Sequence, residues 1–267
     1  MRDLTKLGCT PDSPHKARRF ALHGPATATS SSYSAEDKEG SILDQNNTSG
    51  CTGHGTSQWL EVTYKVAGKP LLYRPSPRGI YGVTRMLGAV QAGRVGKPLT
   101  DDGGMPADII VGVSTFGIRE LVLPSSQGFQ SDLDPSNVLL AETLEDFEHD
   151  AAEIIGAARR IEPTASGFVE TLCAAIEKTG SVGIGMFVDR GFEAFTQGGP
   201  PVGGVNLNDP QGGGHWICLT SFRTASDGSR ILRGPNSWTK DWGSAGHFEI
   251  TGACAVQAIS DAYALYL

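Results

Sequence analysis

The chain has 267 residues, enough for one large domain or for two lobes around a sizeable core. Its formal net charge is −7, so the overall charge indicates no nucleic-acid surface; the one basic run, His15-Lys16-Ala17-Arg18-Arg19, is short and reads as a solvated arm. Five scattered cysteines, an odd number, make no disulfide framework, and neither an apolar leader nor a run near about 18 apolar residues is present. Reduced thiols in a cytoplasmic setting are therefore expected, with no signal peptide and no membrane span.

Residues 1–43 are polar and rich in Ser, Thr, Ala and Pro, and residues 27–34 are nearly low in complexity. They are expected to form an irregular arm over the main body with at most one short strand, leaving no room for a large autonomous pro-domain. Asp44-Gln45-Asn46-Asn47-Thr48-Ser49-Gly50 is a polar turn. Trp59, Val62 and Val66 follow at i, i+3 and i+7, one face of an amphipathic helix whose first turn holds Cys51, with Ser49 as the N-cap. A thiol at that place meets unpaired N–H groups and the positive end of the helix dipole, which favour a thiolate. After the break at Pro75-Ser76-Pro77-Arg78, the residues Ile80, Val83, Leu87 and Val90 predict a second helix stopping at Gly93. The turn Asp101-Asp102-Gly103-Gly104 precedes a third helix with Met105, Ile109, Val113 and Phe116 as its stripe. Residues 135–161 predict a further helix or a broken pair.

Beyond Pro163 the pattern changes. A short helix over residues 168–178 leads to an apolar strand at 181–188, a Gly/Pro loop at 198–204, and strand-like runs at 216–222, 229–233 and 247–250. No internal repeat is visible, and no element is assigned after Ile250. The fold class expected is α+β: arm 1–43, mainly helical lobe 44–162, and mainly β lobe 163–267 in a twisted antiparallel sheet or partial barrel, with a cleft where the lobes meet.

The β half supplies partners for the thiol. Gly212-Gly213-Gly214-His215 places a histidine at the mouth of an apolar strand, and Asn236 stands at a strand end with Trp238 and Trp242 close by. Cys–His–Asn is a working nucleophile set. The imidazolium stabilises the thiolate and then protonates the leaving amine, the Asn amide holds the ring, and an adjacent indole screens that bond from water.

These residues resemble the papain-like cysteine peptidases, of the bacterial or phage kind without a large pro-domain. Gln45 precedes Cys51 by six residues (51 − 45), like the family's oxyanion-hole glutamine. Gly213-Gly214-His215 is similar to the segment of the catalytic histidine. Asn236-Ser237-Trp238 with Trp242-Gly243 resembles the Asn-Ser-Trp-Gly and Trp-Gly segment, and Gly246-His247-Phe248-Glu249-Ile250 resembles the strand after it, with His247 for the usual Tyr. Ser76-Pro77-Arg78 and Asp102-Gly103-Gly104 are weaker echoes. The resemblance spans residues 44 to 250 and implies a papain-like two-lobe fold and a thiol endopeptidase. Catalysis would rest on Gln45, Cys51, His215 and Asn236, a peptide or protein would be the substrate, and no cofactor or metal is needed.

The departures are specific. Thr48 and Thr52 replace the first Cys and the aromatic of the family's Cys-Gly-Ser/Ala-Cys-Trp/Tyr signature. His215 and Asn236 lie 164 (215 − 51) and 185 (236 − 51) residues after Cys51, against about 130–150 in ordinary members, which inserted loops would explain. Trp216 stands where a small residue is usual, so a narrower cleft beside the ring is expected. Gly103 and Gly104 either hydrogen-bond an extended substrate or simply turn the chain. His54, at i+3 from Cys51 on one helix, is read as packing or cleft lining, since two such side chains run side by side. Cys51-x-x-His54 and His215-x-x-Cys218 mimic a zinc quartet, but positions i and i+3 of a strand face opposite ways. Cys9, Cys173, Cys218 and Cys254 are read as core thiols. Two other readings stay open: a papain-fold subunit of a larger assembly such as a phage particle, which the resemblance to phage relatives implies would be virion-associated rather than cytoplasmic, and a peptidoglycan-directed amidase.

Overall fold

The structure, a computed structural model, describes residues 7–94, 99–118 and 156–267. Polar residues dominate the start of the chain, where α1 (Pro14–Ala17), β1 (Ser32–Ser34) and a 3-10 turn (Glu36–Lys38) are joined by irregular backbone. Three helices follow: α2 (Cys51–Val66), α3 (Pro77–Gln91) and α4 (Pro106–Phe116). Proline at the first position starts both α3 and α4, and the Ser76 hydroxyl accepts the Gly79 N–H at 2.9 Å to cap α3. The helix expected within residues 135–161 falls mostly outside the described residues. At its end, residues 157–160 form a strand, β2 (Ala157–Arg160), pairing with the C-terminal strand instead.

The remaining elements are α5 (Phe168–Thr179), β3 (Val182–Val188), α6 (Arg190–Glu193), β4 (Gly213–Leu219), β5 (Ser221–Thr224), β6 (Arg230–Pro235), β7 (His247–Thr251), α7 (Gly252–Ala258) and β8 (Ile259–Tyr266). They build two antiparallel four-stranded sheets, ordered β1-β5-β6-β7 and β2-β8-β3-β4. The single run predicted at 216–222 is thus two strands in different sheets, with the corner at Thr220, whose N–H donates to the Arg233 carbonyl at 3.0 Å.

Strand β4 ties the lobes together because it is buried on both faces. Alternate side chains divide between two cores: Ile217 and Leu219 join the β-lobe core with Leu172, Ile184, Phe248 and Ile250, whereas Trp216 and Cys218 join Trp59, Ile109 and Tyr263 against the helices. The Trp216 indole meets Trp59 edge to face at 6.1 Å and donates to the Thr56 hydroxyl at 2.9 Å. A side chain at Gly55 would come 2.6 Å from the Trp216 carbonyl oxygen, so the glycine lets α2 lie directly on β4. The narrowing of the cleft expected from Trp216 is therefore corrected, since its indole points away from the histidine and into the seam between lobes. Trp216→Ala is expected to destabilise the fold by about 3–5 kcal/mol in urea unfolding, the cost of an emptied core indole; a loss under about 1 kcal/mol would show that the seam repacks. Among the described residues, no helix is long and apolar enough to cross a membrane.

Candidate active site

Helix α2 begins at Cys51, but its N-cap is Gly50 and no side chain caps it. Ser49, expected in that role, is drawn away: its hydroxyl donates to the Asp101 carbonyl at 3.0 Å and its N–H donates to the Asp101 carboxylate at 3.1 Å. The first-turn amides are consequently left to the sulfur. Burial pushes the Cys51 thiol up to about 11, while the N–H groups of Trp216, Gly8, Thr52 and Cys51 itself act to lower it. Iodoacetamide should therefore modify Cys51 of the intact chain slowly at pH 7, with a rate rising about tenfold per pH unit to pH 10, since only the thiolate reacts. A rate already level by pH 8 would contradict a thiol raised by burial.

The Trp216 amide that faces the sulfur follows His215 directly, so α2 and β4 bring Cys51 next to the histidine's own backbone. His215 Nε2 lies 2.8 Å from Asn236 Oδ1, and both side chains are fully buried. The same Oδ1 accepts the Ser237 N–H at 2.8 Å, which fixes the amide's orientation and makes Nε2 the ring's donor. Trp238 stacks on the imidazole, centroids 5.0 Å apart, and Trp242 and Phe192 pack edge-on against Trp238. The Asn236 hydrogen bond and the Trp238 indole face thereby hold the ring.

Gln45 belongs to the same cluster. Its N–H donates to the Ser237 carbonyl at 2.9 Å, its Oε1 accepts the Ser237 hydroxyl at 2.6 Å, and its Nε2 donates to the Thr48 carbonyl at 2.9 Å. Asn46, in the left-handed region at φ 51°, turns the loop between Gln45 and the helix, a conformation asparagine tolerates. Ser237 thus links Gln45 to Asn236, a connection the sequence reading missed because serine in Asn-Ser-Trp looks like a spacer. His54 Nδ1 donates to the Gly50 carbonyl at 2.8 Å, folding the ring back on the helix start.

Gly103 and Gly104 differ in their backbone setting. Gly103 turns the chain at φ 81° and donates its N–H to Tyr81 Oη at 3.1 Å, while Tyr81 Oη donates to Asp101. Gly104 pairs with extended chain, but that chain is the N-terminal segment: Gly104 N–H donates to the Gly8 carbonyl at 2.6 Å, and Thr10 N–H donates to the Gly104 carbonyl at 3.0 Å. Cys9, read as a core thiol, lies on this segment; its pKa is raised well above the usual thiol range by burial, then by the neighbouring Cys51, Asp261 and Asp12. Beside the Gly104 wall opens a cavity of about 360 Å³, lined by Thr84, Arg85, Met105 and Asp108, with Thr10 and Lys16 along its edge. Among the described residues no group of three or more His, Cys, Asp or Glu side chains could hold a metal ion.

No protein-family profile matches the chain, and no curated protein matches it by sequence. Solved structures do match by fold. The chain is similar to xylellain, a cysteine protease from Xylella fastidiosa, with TM-score 0.72 and 17% identity over 100% of this chain and 97% of that one. It is also similar to digestive procathepsin L 3 of Tenebrio molitor larval midgut (TM-score 0.70, 14% identity, 99% and 77% covered). A third match is the bromelain protease from Ananas comosus (TM-score 0.60, 16% identity, 90% and 100% covered). The α+β architecture expected from the sequence is thus the papain-like two-lobe fold.

Proposed function

We propose that the protein is a cysteine endopeptidase that hydrolyses peptide or isopeptide bonds through a thioester on Cys51. The observation that carries this reading is the buried chain Gln45–Ser237–Asn236–His215, which ends one residue before Trp216, whose backbone N–H faces the Cys51 sulfur. With Nε2 engaged by Asn236, Nδ1 is the ring nitrogen that exchanges a proton with the thiol. The thiolate attacks the substrate carbonyl carbon, and the tetrahedral oxyanion takes the Cys51 N–H and the second hydrogen of the Gln45 amide, the first being used by Thr48. The imidazolium then protonates the departing amine, the C–N bond breaks, and a thioester remains. Water, deprotonated at Nδ1, hydrolyses that thioester and restores the thiol. Gly104 offers one N–H and one carbonyl to an extended substrate backbone, in the manner it now offers them to the N-terminal segment.

Asn236 is a positioning residue. Asn236→Ala should lower kcat by about 10²-fold, the lower end of what general acid–base catalysis contributes, with KM little changed. Asn236→Asp should recover part of that loss, because its carboxylate can still accept from Nε2; equal losses in both would mean that ring orientation does not matter.

Incubating the protein, with Cys51 shown to be alkylatable, against extended peptides, isopeptides and purified cell-wall fragments tests the proposal. New amino termini should appear from the peptides. Cleavage of cell-wall fragments alone would move the reading to an amidase, and no cleavage of any substrate by an accessible thiol would favour a structural subunit.

A further inference from the structure

Strands β6 and β7 pair as far as Pro235 and His247, and the tight turn that leads into β7, Ser244-Ala245-Gly246-His247, also seats Asn236. The Asn236 N–H donates to the Gly246 carbonyl at 2.8 Å. The Gly246 N–H in turn donates at 2.7 Å to the carbonyl of Trp242, whose indole packs against Trp238. Both central residues of the turn lie at positive φ, 54° at Ala245 and 85° at Gly246, as in the mirror-image turns of hairpins. Glycine adopts this backbone freely, whereas alanine keeps it only where its surroundings hold it.

The His247 side chain supplies that hold. Its Nδ1 lies 3.1 Å from the Ala245 carbonyl oxygen and its Nε2 lies 2.6 Å from Glu39 Oε2, while Glu39 Oε1 accepts the Thr220 hydroxyl at 2.6 Å. A carbonyl and a carboxylate only accept, so satisfying both needs a proton on each ring nitrogen. A neutral ring has one N–H; with that kept by Glu39, a lone pair would face the Ala245 carbonyl. Around the pair stand Glu36 and Glu249, both paired with Arg233, and the Cys218 thiol, which burial raises well above the usual thiol range.

We propose that His247 is a positioning residue: as an imidazolium it clamps the Ala245 turn and, through the Gly246 carbonyl, holds Asn236 in place against His215. The effect on turnover rests on the peptidase reading; the clamp itself does not. Burial opposes the charged ring, but the Glu39 hydrogen bond and charge prevail and raise the His247 pKa above the usual histidine value. The clamp is therefore complete below about pH 6.5, the unfolded value, and is lost as pH rises through the higher folded one. The tyrosine usual at this place in the resembled family has no charge to lose over that range.

Amide exchange in the full-length Cys51→Ala chain reads the turn without turnover or thiol titration. Relative to the β3–β4 ladder, the Asn236 N–H should exchange about tenfold faster once the ring has lost its proton, as followed by nitrogen-15 NMR of His247. In His247→Gln, which cannot titrate, that ratio should stay constant with pH. With Cys51 present, kcat of the parent relative to His247→Gln should fall by about fivefold between about pH 6 and pH 9, with KM little changed. A parent exchange ratio that ignores the His247 titration, or the same step in His247→Gln, would overturn the clamp; if His247→Gln does not fold, the parent's own ratio decides. An exchange step without hydrolysis of any peptide leaves the clamp standing and sinks the peptidase, whereas hydrolysis without an exchange step does the reverse.

Discussion

Replacing Cys51 with alanine is expected to lower kcat/KM for peptide hydrolysis by at least about 10⁴-fold, because the covalent route is lost and only binding and the oxyanion groups remain. His215→Ala should lose a similar factor, and the double variant should be no worse than either single one. That non-additivity follows from the two groups acting as one unit: a thiol without its base and a base without its thiol are equally idle. Each variant is compared with the otherwise identical parent chain, so that the ratio reads the substituted side chain alone. Thermal midpoints, which should move little for a buried thiol, separate lost chemistry from lost fold. Losses that simply multiply would mean that the two residues act independently.

Gln45→Ala is expected to cost about 10²–10³ in kcat with KM nearly unchanged, the usual effect of removing one oxyanion donor, since the interaction is made only in the transition state. Two structural bonds go with it, to Ser237 and to Thr48. Gln45→Glu tests the electrostatic part alone: the carboxylate keeps an acceptor for Ser237 but sets a negative charge where the oxyanion forms, so its loss should match or exceed that of alanine. A Glu variant that works as well as the parent would remove Gln45 from the oxyanion role.

Where local pattern and tertiary need agreed, the sequence was readable. Trp59 and Val62 mark α2 because the helix buries them, with Val66 half-buried at its end, and Gln45, Cys51, His215 and Asn236 stand out because each sits at a turn or element end with its own signature. Three features were hidden for physical reasons. Ser49 has the chemistry of a cap, but the competing acceptor is Asp101, 52 residues away, which no local rule weighs. Strand β8, read off as Ile-Ser-Asp-Ala-Tyr-Ala-Leu-Tyr, is poor in β-branched residues and holds its place by packing between β2 and β3. The pairing of Gly8, Cys9 and Thr10 with Gly104 and Gly214 was least legible, because its bonds are made by backbone groups, and a Gly-Cys-Thr run carries no periodicity to announce them. The polar arm expected from composition is thus in part a strand-like insert in the cleft.

The most direct measurement is a single-turnover reaction of the full chain with a peptidyl ester, quenched in acid and mapped by mass spectrometry. The acyl group should be found on the fragment containing Cys51, at near one equivalent, and should persist longer when Asn236 is replaced by alanine. An acyl group on Cys9 or any other cysteine, or ester turnover with Cys51 never acylated, would contradict the account.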